Sequence, residues 1–145
     1  MSSCVLAVVT LALVGADAPA RDAVEAGLKE FRGTWTPVSM EQDGKPLDPE
    51  RLRKVRLSID GEKFTFQTAD DSHEGLYKID PTKDPKQLNI EVTRGAEQGK
   101  VYLVIYKFED GKMIQCMHKD NERRPREFTG KAGSGNLYEV WRRLK

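Results

Sequence analysis

The sequence predicts an all-β fold: an eight-stranded antiparallel up-and-down barrel with a short N-terminal helix. Three observations carry this. Short runs alternate apolar and polar residues, as in Val55, Leu57 and Ile59 against Arg56, Ser58 and Asp60. Tight-turn pairs separate the runs, at Asp43-Gly44, Asp60-Gly61 and Asp110-Gly111. No helix after Arg32 is long enough for a parallel crossover, so neighbouring strands must pair antiparallel, and eight of them can close and hide their edges.

Taken in order, the chain opens on a 12-residue apolar run, Cys4 to Gly15. Small residues follow in Ala16-Asp17-Ala18-Pro19-Ala20, at the spacing a signal peptidase prefers. The run is shorter than the roughly 20 residues of a spanning helix. Residues 1–20 are therefore expected to be a signal peptide, and 21–145 one exported domain, periplasmic or extracellular, with no transmembrane segment in the mature chain. Removal of 1–20 takes away one acid, Asp17, and no base, moving the formal net charge from +1 to +2. It also removes Cys4, so that Cys116 stays alone and no intramolecular disulfide can form.

A helix is expected over Arg21–Phe31, where Val24, Leu28 and Phe31 make one stripe and Asp22 with Glu25 has the offset of a capping box. Gly33 ends it. The first strand is Thr34–Glu41, with Pro37 marking an edge or a bulge. Asp48 as N-cap and Pro49 at the first position indicate one or two helical turns. Strands then follow from Val55 to Asp60 and through Phe64 and Phe66, with Asp70-Asp71-Ser72 a loop and Gly75–Ile79 the fourth strand. Pro81 and Pro85 exclude a strand between them, and Leu88, Ile90 and Val92 resume the alternation. Val101–Phe108 is apolar on both faces, which predicts cover on both sides. Lys112–His118, a long loop from Lys119 to Asn136, and Leu137–Arg143 complete the chain.

Composition narrows function only a little. With 24 Lys+Arg against 23 Asp+Glu, there is no basic excess of the kind a nucleic-acid binder carries. Zinc spacings, a phosphate loop and a serine triad are not recognisable, and no cofactor or metal is assigned.

The segment Gly33-Thr34-Trp35 resembles the Gly-x-Trp signature of lipocalins. More of the chain resembles the small lipocalin-like domain of exported planctomycetal proteins. The matching pieces include Asp43-Gly44-Lys45, Gly75-Leu76-Tyr77-Lys78-Ile79-Asp80-Pro81, Ile114-Gln115-Cys116 and Arg124-Pro125-Arg126-Glu127-Phe128, in order along nearly all of 21–145. The resemblance implies a lipocalin-like barrel and export, and no established activity. It also implies that Trp35, after Gly33, plugs the closed end beneath an arginine near the C-terminus, Arg142 or Arg143, of which Arg142 is taken as the partner.

Candidate site residues follow from the strands. Phe64, Phe66, Tyr77, Tyr102, Tyr106 and Gln115 are expected to line a pocket for a small, partly apolar or amphipathic ligand. The phase of Val101, Tyr102 and Leu103 stays open, because both faces of that strand are apolar. Bulky inward residues lean slightly toward a filled interior, in which case the protein would act through the 119–136 loop on a partner in the cell envelope. Arg124 and Arg126 in that loop are candidates to clasp a carboxylate or phosphate, against the favoured alternative that Arg124 and Glu127 pair with each other or with turn carbonyls while Phe128 pins the loop to the barrel. His73 among Asp70, Asp71 and Glu74 reads as a solvated turn rather than a cation site, and Cys116 with His118 as core rather than a catalytic pair. The expected function is non-catalytic ligand binding.

Overall fold

The computed structural model describes residues 17–145. The expected apolar core of the signal lies outside the described residues. Helix α1 spans Asp17–Phe31, four residues longer at its start than the sequence predicts, so Asp22 lies inside the helix and does not cap it. Its stripe forms as expected: Val24 and Leu28 pack against the core and Phe31 is fully buried.

The strands are β1 Gly33–Gln42, β2 Lys45–Pro46, β3 Arg56–Asp60, β4 Lys63–Gln67, β5 Ser72–Asp80, β6 Lys86–Arg94, β7 Val101–Glu109, β8 Lys112–His118 and β9 Asn136–Arg143. The two-residue β2 only extends the turn after β1. The other eight pair in sequence order, all antiparallel, and β1 meets β9 to close the barrel. A short helix, α2 Pro49–Leu52, is capped by Asp48, whose carboxylate accepts from the Glu50 N–H at 3.0 Å.

Closure depends on β1, which pairs with β3 through Gly33–Trp35 and with β9 along Trp35–Gln42. The register shifts between Pro37 and Ser39, so Pro37 sits at a bulge. That extra residue changes the phase of β1, and buried Trp35 before it is followed by buried Met40 after it. A second irregularity lies between Glu74 and Gly75, where β5 pairs with β6 and Thr93 is the extra residue. Gly75 is required there by space: a Cβ would stand 1.9 Å from the Glu91 carbonyl oxygen.

The barrel has two unlike ends. Beneath α1, Phe31 packs its ring 4.9 Å from Tyr106, 4.9 Å from Phe108 and 5.6 Å from Tyr77. Trp35 joins them and donates its indole N–H to the Phe31 carbonyl at 2.8 Å. The guanidinium over the Trp35 ring belongs to Arg143, 4.4 Å from the ring centre, not to Arg142. Trp35 is inward, so in the antiparallel pair the covering residue is the one directly across from it, Arg143; Arg142 is paired with Thr36. Gly33, at φ 133°, lets the Arg143 side chain lie close against the backbone.

The long connection from Lys119 to Gly135 lies against the outer wall of the barrel. Asp43 accepts from the Gly133 and Gly135 N–H groups at 2.8 and 3.1 Å, and these bonds lower its carboxyl pKa below the ordinary value. The Cys116 thiol meets the Thr129 carbonyl at 3.5 Å, and Lys107 lies over the Phe128 ring. This cover explains why Ile105, Ile114 and Cys116 are buried although they point away from the barrel axis. The outer face of β7 is covered only in its middle, at Ile105, and Val101 at its start is exposed, so the cover on both sides that the sequence predicts holds for part of the strand.

Candidate functional site

Toward the end opposite α1 the interior is not filled. A cavity of about 270 Å³ opens there, lined chiefly by Leu57, Phe64, Phe66, Tyr77, Ile90 and Trp141. The slight expectation of a filled interior is thus wrong for this half. Large residues plug one end of the barrel, and at the other the same kinds of residue form walls.

Five of the predicted pocket residues reach the cavity: Phe64, Phe66, Tyr77, Tyr102 and Gln115. Tyr102 is the inward member of its ambiguous triplet. Tyr106 also points inward but lies at the plugged end, buried against Phe31, and is not a cavity residue. Its buried hydroxyl has no hydrogen-bond partner among the described residues.

Arg124 and Arg126 do not reach the cavity. Arg124 lies outside the barrel, where it donates to the carbonyls of Leu88 and Val104 at 2.9 and 2.6 Å and to the Asn89 side chain. Desolvation there lowers its pKa. Its donors are occupied by structural acceptors, so no clasp for an anionic ligand is formed. Arg126 is exposed.

At the cavity mouth stands His73, for which the sequence predicts a solvated turn. Strand β5 begins at Ser72, so His73 lies in phase with Tyr77 and points inward. Its ring stacks on Phe66 with centroids 6.0 Å apart and planes 9° from parallel. Its Nδ1 is buried without a hydrogen-bond partner among the described residues. The 73, 75, 77, 79 alternation was present in the sequence, but the preceding acids read as a turn. Glu97, from the β6–β7 loop, accepts from the Tyr102 hydroxyl at 2.8 Å and pairs with Lys100. Burial and then this bond push the Tyr102 phenol up to about 12, while Lys100 and Tyr102 hold the Glu97 carboxyl below its ordinary value.

Deeper in, the Gln115 amide donates to the Tyr77 hydroxyl at 3.2 Å, and its nitrogen also lies 3.5 Å from the Met113 sulfur. Burial pushes the Tyr77 phenol well above its usual range. Opposite Gln115 in register is Glu139, a carboxyl only 6% exposed in an interior of apolar and aromatic side chains. It accepts one hydrogen bond, 2.8 Å from the Trp141 indole N–H. Desolvation raises its pKa to about 7, with the Trp141 bond opposing. Nothing in the sequence around Glu139 singles it out from the other acids. Its signal was a carboxylate in phase with Leu137 and Trp141, obscured because Tyr138 and Val140 make the other face apolar too.

The two groups considered for nucleophilic chemistry lie outside the cavity. Burial pushes the Cys116 thiol up, away from thiolate. His118 Nδ1 accepts from the Asp120 N–H at 3.1 Å. Among the described residues no three His, Cys, Asp or Glu side chains converge as metal ligands, and no helix is long and apolar enough to cross a membrane.

No family model matches the chain, and neither a curated protein nor a solved structure matches it.

Proposed function

We propose that the chain is an exported, non-catalytic lipocalin-like barrel that binds one small, partly apolar molecule inside its open end. The observation that carries this reading is the cavity itself: apolar and aromatic walls with a few convergent polar groups, His73, Tyr102, Gln115 and Glu139. At about 270 Å³ it lies just below the ~300 Å³ lower end of typical ligand pockets. The occupant is therefore small, on the scale of one ring and a short chain. The Gly-x-Trp segment and the ordered matches along the chain support membership of the exported lipocalin-like group. The apolar run followed by small residues before Arg21 supports export. The raised Cys116 thiol, held by the Thr129 carbonyl, supports a role without nucleophilic catalysis.

Native mass spectrometry of the protein purified gently from an exporting host tests this. A reproducible added mass that is lost on denaturation is expected. A bare polypeptide mass, together with no uptake of a fluorescent hydrophobic probe, would refute ligand binding and turn attention to the loop at 119–135.

A further inference from the structure

Resting on that reading of the cavity, we propose that its ligand is a cationic amine: a small apolar body carrying a protonated nitrogen that pairs with Glu139. Three features of the interior point to this class. First, the cavity contains two carboxylates, Glu97 near the mouth and Glu139 within, and neither lysine nor arginine lines it. A fatty acid or another anion would be buried beside like charge, with the His73 imidazole near the mouth as the one nitrogen base lining the cavity, a costly arrangement.

Second, the inner polar groups hold two unspent acceptors beside one unspent donor, the Tyr77 O–H, whose oxygen accepts from Gln115. The one hydrogen bond that the Glu139 carboxyl makes among the described residues is from the Trp141 indole N–H to a single oxygen, which leaves the other as an acceptor. Gln115 stands opposite it in register with its amide nitrogen committed to Tyr77, which leaves the Gln115 carbonyl oxygen as a neighbouring acceptor. An ammonium has donors enough for both, whereas a hydrocarbon would leave them unmatched. Third, the surrounding walls are aromatic: Phe64, Phe66, Tyr77 and Trp141 present rings to the same space, and a cation beside ring faces gains further attraction.

A buried carboxyl held without a basic partner is an unfavourable element in an empty barrel. Its ionisation costs solvation that a bound cation restores. Binding should therefore be coupled to proton release from Glu139. The titratable groups sharing the cavity are Tyr77 and His73 on β5, Tyr102 on β7 and Glu97 in the β6–β7 loop. On the strands flanking Glu139, Met40 and Gln115 stand across from it and carry no charge, and Cys116 lies behind Gln115 on the outer face.

The test is a matched set of probes, 3-phenylpropylamine, 3-phenylpropanol and 3-phenylpropanoate, titrated into the full chain by calorimetry. At pH 8 the amine should bind at least tenfold more tightly than the alcohol, and the carboxylate weakest. Between pH 8 and pH 6 the amine's affinity should fall roughly tenfold, because Glu139 becomes protonated while an alkyl amine stays charged. Proton release should appear as a dependence of binding heat on the buffer. In E139Q the amine's advantage over the alcohol should shrink to less than threefold. Amine and alcohol binding equally at every pH would overturn the amine assignment and leave the cavity reading standing. Tightest binding of the carboxylate would overturn it as well. Failure of all three probes would overturn both. The pH series uses the unaltered protein, so the outcome does not depend on whether E139Q folds.

Discussion

Glu139 is a residue at which the proposed binding role and stability would oppose each other. Its carboxyl is pushed from the ordinary 4.5 to about 7 by burial, so the folded protein favours the protonated form. On this account the stabilising contribution is full below pH 4.5 and is lost as pH rises through about 7. At ~1.4 kcal/mol per pH unit the gap amounts to about 3 kcal/mol. Glu139→Gln keeps the shape and an acceptor for the Trp141 N–H while removing the titration. The variant should gain up to about 3 kcal/mol over the parent at pH 8 and nearly nothing at pH 4.5. Urea denaturation at the two pH values reads this directly, and an equal difference at both would show that Glu139 does not titrate in the interval. A buried acid kept at such a cost is what a site selected for binding, rather than for stability, would contain.

Among the elements, the 119–135 connection is the least regular and yet is tied down at several points. Arg124 inserts between the long loop and the outer wall of β6 and β7, and supplies donors to two strand carbonyls and Asn89. Asp43 holds the far end of the loop from the turn after β1. Arg124→Ala removes charge-assisted bonds from partly buried acceptors and should destabilise the fold by about 2–3 kcal/mol. Because Arg124 lies on the outside, uptake of a hydrophobic probe by the cavity should persist in the folded variant. Loss of uptake with the fold intact would place Arg124 in the binding site after all. Strand β5 makes the complementary point. By beginning at Ser72 it carries His73 to the cavity mouth, where a turn would have left it in solvent.

In the whole molecule these features divide along the barrel axis. Under α1 the interior is packed by Phe31, Trp35, Tyr106 and Phe108, and Arg143 covers the indole. At the other end the walls separate enough to leave the cavity. Stability is expected to be concentrated in the plugged half and binding in the open half. Trp35→Ala should cost about 3–5 kcal/mol, because a large buried side chain is lost and its hole cannot close fully. For a domain of this size that corresponds to a fall in Tm of roughly 10–20 °C, measurable by scanning calorimetry. A drop of only a few degrees would mean that the plugged end does not carry the fold. Aromatic residues are abundant in both halves, which is why composition alone could not distinguish a filled barrel from a hollow one.

The barrel, its strand order and its turns were legible in the amino-acid sequence, because alternation and turn chemistry are local. Asp60-Gly61 and Asp110-Gly111 make hairpins between neighbouring strands, and Pro37 marks an edge or a bulge, of which the register of β1 against β9 decides for the bulge. The stripe of α1 was visible for the same reason, and the plugging role of Trp35 after Gly33 was implied by the resemblance to lipocalins. Tertiary structure alone decided which face of the ambiguous strands turns inward. In β7 and β9 both faces are apolar, one toward the barrel and the other in part beneath the loop or neighbouring strands, so the inward phase is set by register around a closed sheet. A one-residue change of phase would have sent Tyr102 and Glu139 outward. It is closure of β1 on β9 that places Arg143 rather than Arg142 over Trp35, puts Arg124 outside, and leaves a carboxyl facing empty space within.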